Sequence, residues 1–368
     1  MGKVYITGIG IRSKLGNTLS DFWHGINQDW IQEKQSLMIH HHKKEIVADM
    51  TSHTMYEENY EEYFLNMCYE AIVSAIHNAK ISLTNQEGCI ILGTGMGMSD
   101  ECLKGVNVAD AFMSQLACKI QKRLQTKVKV IIIANACCAG AQSIAYAYDL
   151  LRVHRYDFII AGGVEAFSYI TYCGFKRLNA IDNTGCKPFD TNRKGIYVGD
   201  GAVFYVLRST NMDGSYCQIL GQAVTSDAYH TVAPKPDGSH ISRAISQALQ
   251  KAKKQQHDID VIVAHGTGTR LNDRIEGHVI YELFGNIDVT APKGKIGHTG
   301  GASGAFGLLT ALCALEFQCI PYIVNLNEQD ETIKFKGRMY RKKHKTINNV
   351  LVNCFAFGGT NTVLVCGL

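Results

Sequence analysis

Residues 89–96 read C-I-I-L-G-T-G-M, and residues 261–269 read V-I-V-A-H-G-T-G-T. In each, an apolar run of strand length enters a Gly-Thr-Gly turn. Downstream of each turn a reactive side chain opens a helix of small residues. Cys137, forty-three residues after Thr94, precedes A-G-A-Q-S-I-A-Y-A from Ala139; His298, thirty-one residues after Thr267, precedes G-G-A-S-G-A-F-G-L-L from Gly300. The same order of elements occurring twice predicts one duplicated unit with its reactive residue at an equivalent helix start. Other apolar runs, at 4–6, 130–134, 158–161 and 350–352, alternate with longer helical stretches, the pattern of an α/β protein. The polar stretch R-S-T-N-M-D-G at 208–214 is the expected seam. It divides the chain into a half at 1–210 that carries the cysteine and a half at 211–368 that carries His265 and His298.

A chain of 368 residues, 46% hydrophobic and 19% charged, has the composition of a soluble globular protein able to bury a deep site. No run of about 18 apolar residues predicts a membrane span, and the opening M-G-K-V-Y-I-T-G lacks the long apolar stretch of a signal peptide. A cytoplasmic location is expected. The 13 cysteines are odd in number, scattered and without a C-x-x-C pair, so they read as free thiols rather than a disulfide framework or zinc ribbon. A net charge of +4 gives no reason to expect nucleic acid, and the basic run at 338–345 reads as a solvated loop.

Cys137 lies in I-I-I-A-N-A-C-C-A-G-A-Q, where a strand enters a sharp turn and a helix begins directly after it. Backbone N–H groups and the helix dipole favour a thiolate there, the preparation of a nucleophile. Cys138 shares the turn and is expected to point away as a packing residue. His265 and His298 sit beside Gly-rich turns, where neutral imidazoles could offer N–H groups to a developing enolate or exchange protons near neutrality. A cysteine and two histidines could equally bind zinc or be satisfied core residues, although a closed zinc site wants a fourth ligand that the sequence does not signal.

Five stretches carry a resemblance along the whole chain: N-A-C-C-A-G around Cys137, K-P-F-D-T-N-R-K-G-I-Y-V-G-D-G-A from Lys187, H-G-T-G-T-R-L-N-D-R-I-E from His265, K-G-K-I-G-H-T-G-G-A-S-G-A from Lys293 and N-C-F-A-F-G-G-T-N from Asn353. In this order the set resembles the β-ketoacyl-acyl carrier protein synthases of the two-histidine class, within the thiolase-fold superfamily. The resemblance implies duplicated halves in a layered αβαβα fold and a decarboxylative condensation of an acyl group with malonyl-acyl carrier protein. By the same resemblance Cys137 is the acylated nucleophile, His265 and His298 promote decarboxylation, and Lys293 is the active-site lysine. Thr267 and Thr269 match hydroxyls that bind the phosphopantetheine arm. Phe357 matches an aromatic gate, its backbone N–H forming an oxyanion hole with that of Cys137. Arg193 falls on a position expected to contact the carrier protein, the alternative being an internal ion pair with Asp190 or Asp200. No metal or free cofactor is implied; the partners are acyl carrier protein and a second subunit, in a homodimer or in a heterodimer with a related chain.

Some positions depart from the family pattern. Gly307 stands where a glutamate usually meets the lysine, Asp200 where Glu is usual, and Asn135 and Cys138 flank the nucleophile where Thr and a small residue are commoner. The chain is shorter than typical members between Gly97 and Lys129 and between Ser209 and Ile262, regions that shape the acyl pocket and dimer contacts in the family. Acyl length and pathway, whether fatty acid, polyene or polyketide, therefore stay open. The alternative function is a chain-length-factor-like partner subunit, which normally lacks the nucleophile. A degradative thiolase would place a second reactive cysteine in a Cys-x-Gly setting, unlike Cys354, and single-histidine synthases have Asn where His298 stands.

Overall fold

The computed structural model describes residues 2–29, 34–39, 42–83, 87–105, 113–337, 343–344 and 346–368. Most of the basic run at 338–345 lies outside the described residues. Among those described, eleven strands form one sheet. In chain order they are β1 (Val4–Arg12), β2 (Gly88–Thr94), β3 (Lys129–Ala134), β4 (Phe158–Glu165), β5 (Gly201–Arg208), β6 (Cys217–Ser226), β7 (Val261–Val263), β8 (Asp288–Thr290), β9 (Lys336–Gly337), β10 (Asn349–Ala356) and β11 (Thr360–Gly367).

The spatial order is β9-β8-β7-β10-β11-β6-β1-β5-β4-β2-β3. From β3 inward the pairings run parallel, parallel, antiparallel, antiparallel, ending at β1. From β8 inward to β6 they run the same way. Each strand of the first half thus has a counterpart in the second, and the duplication is visible in the hydrogen bonding. The two halves join through a short antiparallel pairing of Val4, Tyr5 and Ile6 with Ile219, Gln218 and Cys217.

Strand side chains alternate between faces, and here both faces are buried. Ile91 of β2 faces a central core and Ile90 and Leu92 an outer one; Val261 and Val263 of β7 face the central core and Ile262 another outer one. The first outer layer holds helices α1 (Tyr60–Asn78) and α2 (Met113–Leu124). The central layer holds α3 (Ala139–Arg152) and the other outer layer α5 (Ser239–Ala252) and α6 (Arg270–Phe284); α4 (Tyr169–Arg177) lies beside the nucleophile's turn, and α7 (Ser303–Phe317) completes the central layer. This is the five-layered arrangement.

The small residues that open α3 and α7 follow from their mutual contact. A Cβ on Gly140 would lie 2.8 Å from the Gly301 carbonyl oxygen, and one on Gly304 would lie 2.5 Å from Cβ of Ala141. Larger side chains would force the helices apart and separate the turns before them. The stretch Gly300–Phe317 is long and apolar enough to cross a membrane, yet 83% of it is buried inside the fold, where it is the second central helix. Its apolar character all round suits a helix enclosed by two sheet faces.

Candidate active site

The end of β3 delivers the chain into a single 3-10 turn, Ala136–Cys138, from which α3 departs. Ala136 has φ +42°, a left-handed conformation that costs a residue with a Cβ on the order of 1 kcal/mol or more. The strained turn aims Cys137 into the junction of two cavities, of about 380 and 300 Å³, both of which it lines. Cys138 points the other way, its thiol donating to the Cys354 carbonyl oxygen at 3.0 Å, while the Cys354 thiol donates to the Cys137 carbonyl oxygen at 3.2 Å. The turn is thereby tied to β10 of the second half.

Helix-start acidification of Cys137 is not what prevails. Burial, with Cys354 and Glu165 nearby, pushes its thiol up to about 12, against the opposing pull of Lys293 and of the Phe357 backbone N–H at its sulfur. Desolvation of the charged form outweighs the local dipole. Nor is the thiol the most accessible one, since Cys102, Cys118 and Cys173 are exposed.

His265 ends the approach from β7 and His298 precedes the turn into α7; both are buried, with ring centroids 5.8 Å apart and planes nearly perpendicular. Burial, then Lys293, holds His298 down at about 3, and burial, Lys293 and His298 hold His265 well below its ordinary value. Both rings are neutral near pH 7. The Gly300 backbone N–H donates to His298 Nδ1 at 3.1 Å, which leaves the ring proton on Nε2, and the Ser303 hydroxyl stands 3.1 Å from the same nitrogen, where it can donate as well. Lys293 Nζ donates to the His265 carbonyl oxygen at 2.6 Å and stands 3.2 Å from His265 Nδ1, which favours the same tautomer there. Among the described residues no carboxylate forms an ion pair with Lys293. Gly307 explains part of this, because a Cβ there would already lie 2.9 Å from Cγ1 of Val352.

Helix α6 secures the turn at 265–268. Glu276 accepts from the backbone N–H groups of His265 and Gly266, and Asp273 from those of Thr267 and Gly268. Burial raises Glu276 to about 7 despite these donors. Thr267 and Thr269, with side-chain oxygens 2.9 Å apart, line the second cavity beside Pro234 and Asn272. Phe357 is 37% exposed and lines both cavities. The first cavity is walled mainly by Met96, Ala166, Ile170, Ile196 and Val198.

Two site residues escape a reading of the sequence. Phe175 of α4 packs 5.4 Å from the Phe357 ring and 6.2 Å from His298, between the two cavities; the sequence G-F-K-R gives no signal of this. Glu165, at the end of β4, lines the first cavity. It stands in A-G-G-V-E-A, where a lone acid following an apolar strand was the available hint.

Arg193 corrects the expectation placed on it. Its guanidinium is 3% exposed, pairs with Asp330 at 2.6 Å and Asp273 at 3.8 Å, and donates to the Asp190 carbonyl oxygen. A cation turned inward and neutralised cannot meet a carrier protein. Its partners are also not the Asp190 or Asp200 carboxylates, which hold Asn327 N–H and Thr51 N–H instead. Arg193→Met should lower unfolding free energy by about 3 kcal/mol, the loss typical of breaking a buried ion pair, as measured by urea denaturation. A change below about 1 kcal/mol would show the guanidinium to be dispensable to the fold.

The chain matches the family model for the β-ketoacyl synthase N-terminal domain over residues 1–212 and the one for the β-ketoacyl synthase C-terminal domain over residues 216–327. It is 27% identical over 411 aligned positions to a 3-oxoacyl-[acyl-carrier-protein] synthase 2 of Synechocystis sp., covering 98% of this chain and 97% of that one. It is 29% identical to a protein of the same name from Mycobacterium tuberculosis, covering 76% and 74%. Among solved structures, the ishigamide ketosynthase/chain length factor superposes with a TM-score of 0.85 at 25% identity, covering 100% and 99%. A ketosynthase in complex with its chain length factor from Xenorhabdus doucetiae shares the fold, with a TM-score of 0.86 at 24% identity, covering 100% and 98%. Carrying both family domains in order on a duplicated, layered fold, the chain belongs to the β-ketoacyl synthase family.

Proposed function

We propose that this enzyme joins an acyl group held on Cys137 to the malonyl unit of an acyl carrier protein, releasing carbon dioxide. The observation that carries the reading is that one strained-turn cysteine and two neutral histidines, their rings 5.8 Å apart, line the same cavity. The Cys137 sulfur attacks the carrier thioester, forming the acyl–sulfur bond as the carrier thiol departs with the proton. The acyl chain then lies in the apolar first cavity, and the pantetheine arm in the second, beside Thr267 and Thr269. On the malonyl thioester the bond to the carboxylate breaks, carbon dioxide leaves, and the electron pair passes into an enolate whose oxygen accepts from His265 and His298. The α-carbon attacks the acyl carbon, the bond to sulfur breaks and Cys137 is reprotonated. The backbone N–H groups of Cys137 and Phe357 would receive the tetrahedral oxyanion, each worth about 3 kcal/mol.

On this scheme Lys293 adds to burial in keeping both histidines unprotonated. The halves at 1–210 and 211–368 divide the labour, one supplying the nucleophile and the other both enolate donors. Retention of the cysteine and both histidines favours the enzyme over a chain-length-factor-like subunit. A second subunit has a place to dock: β3, sequence K-V-I-I-I-A, ends the sheet with a partly exposed apolar edge among the described residues. A homodimer and a mixed dimer would both use it. Free thiols throughout fit the reducing cytoplasm. Intact mass after incubation with a panel of acyl carrier protein thioesters tests the reading: one acyl group should be gained, mapped to Cys137 and lost in Cys137→Ala. No gain with any thioester would return the chain to the partner-subunit role.

A further inference from the structure

Four donors converge on one buried carboxylate that the mechanism above does not use. Glu165 Oε2 accepts from the backbone N–H groups of Gly95 and Gly301, both at 2.6 Å; Oε1 accepts from Met96 N–H at 3.0 Å and the Thr94 hydroxyl at 3.2 Å. Thr94, Gly95 and Met96 belong to the first half, whereas Gly301 belongs to the turn that follows His298 in the second. The carboxylate is therefore a clasp across the two halves, at the wall of the first cavity. Its neighbours leave no slack. A Cβ on Gly300 would lie 2.6 Å from Glu165 Cγ, and one on Gly301 would lie 2.3 Å from Gly95 N. Gly301 is thus required by the approach of backbone to backbone, and Gly300 by the Glu165 side chain lying against it.

We infer that Glu165 is a positioning residue for decarboxylation, acting through the tautomer of His298. By anchoring Gly301 N–H it holds the adjoining Gly300 N–H on His298 Nδ1; the Ser303 hydroxyl at the same nitrogen can donate or accept, so the Gly300 N–H, which only donates, is what keeps the ring proton on Nε2, where the enolate oxygen forms. Burial raises the Glu165 carboxyl above its ordinary value against the pull of these four donors; the ionised form suits the task because it offers them only acceptors. In Glu165→Gln the amide nitrogen must face either the Gly95 and Gly301 N–H groups or the Met96 N–H, and the charge that draws all four donors is lost, so the hold on Gly301 loosens.

The inference rests on the decarboxylating role proposed for His298, and its test separates the two. With 15N-histidine labelling, the His298 ring, identified by its disappearance in His298→Ala, should show the Nε2–H tautomer at neutral pH in the unaltered protein and a mixture of tautomers in Glu165→Gln. Carbon dioxide release from malonyl carrier protein should fall about tenfold or more in Glu165→Gln, in the rate constant rather than the Michaelis constant, and in the His298→Ala background the same change should cost less than about threefold. Glu165→Asp, which keeps the charge but not the reach, should lie between and serves if the glutamine variant does not fold. A proton on Nδ1 in the unaltered protein, an unmoved tautomer in the folded variant, or an equal loss in both backgrounds would overturn the clasp. Absence of any carbon dioxide release from the unaltered protein would instead sink the decarboxylating role, while the tautomer measurement would still decide what Glu165 does.

Discussion

In Cys137→Gln condensation should cease while carbon dioxide continues to leave malonyl carrier protein, and adding His298→Ala should lower that release by at least ~100-fold. The separation follows from where charge develops. Acyl transfer needs the sulfur, whereas decarboxylation needs only donors directed at the enolate oxygen. The glutamine amide would fill the junction of the cavities much as an acyl thioester does and would leave the imidazoles in place. The His298 ring is held from behind by Gly300 N–H at its Nδ1, so its removal takes away a donor without uncovering a charge. Carbon dioxide and acetyl carrier protein are measured together, with circular dichroism as the check of folding. A folded double variant that decarboxylates as fast as Cys137→Gln would reduce His298 to a packed residue at a helix start.

Alkylation of Cys137 by iodoacetamide should accelerate about tenfold per pH unit, a thousandfold between pH 7 and pH 10, with no plateau in that range. The thiol is pushed up to about 12, so the reactive thiolate stays a small fraction throughout and grows in proportion to hydroxide. Neither histidine can serve as the proton's resting place in the free enzyme, since His298 is held near 3 and His265 is also depressed. The resting site is a neutral trio rather than a thiolate–imidazolium pair. At pH 7 the exposed Cys102, Cys118 and Cys173 should therefore be labelled first. Peptide mapping across a pH series measures this directly. A rate that levels off below about pH 8.5 would mean that the helix start and Lys293 dominate after all.

The sequence revealed the duplication because both copies keep short-range punctuation, a strand entering Gly-Thr-Gly and a helix start of small residues. Cys137, His265 and His298 stood out for the same reason: each sits at a turn where local geometry alone exposes a side chain. What escaped depends on distant segments. Arg193 reads as a surface cation until Asp330, 137 positions away, closes against it. Glu165 gains its role only when Gly301 arrives from the other half, and the thiol's acidity is set by desolvation, which no local pattern records. The small residues of α3 and α7 were visible, but their reason, the contact of one helix with the other, was not.

The seam between the halves also dictates an order of assembly. Strand β1 precedes both of its neighbours, β5 and β6, by about two hundred positions, and Thr7 bonds to Val206 across 199 of them. During translation Val4–Arg12 cannot meet its first partner strand until Arg208 has been made, nor its second until Ile219 has. Such long-range pairing slows folding and prolongs the exposure of sticky strands. Val4–Arg12 thus lacks its native neighbours while roughly two hundred further residues are made, although in the finished molecule it joins the two halves of the sheet.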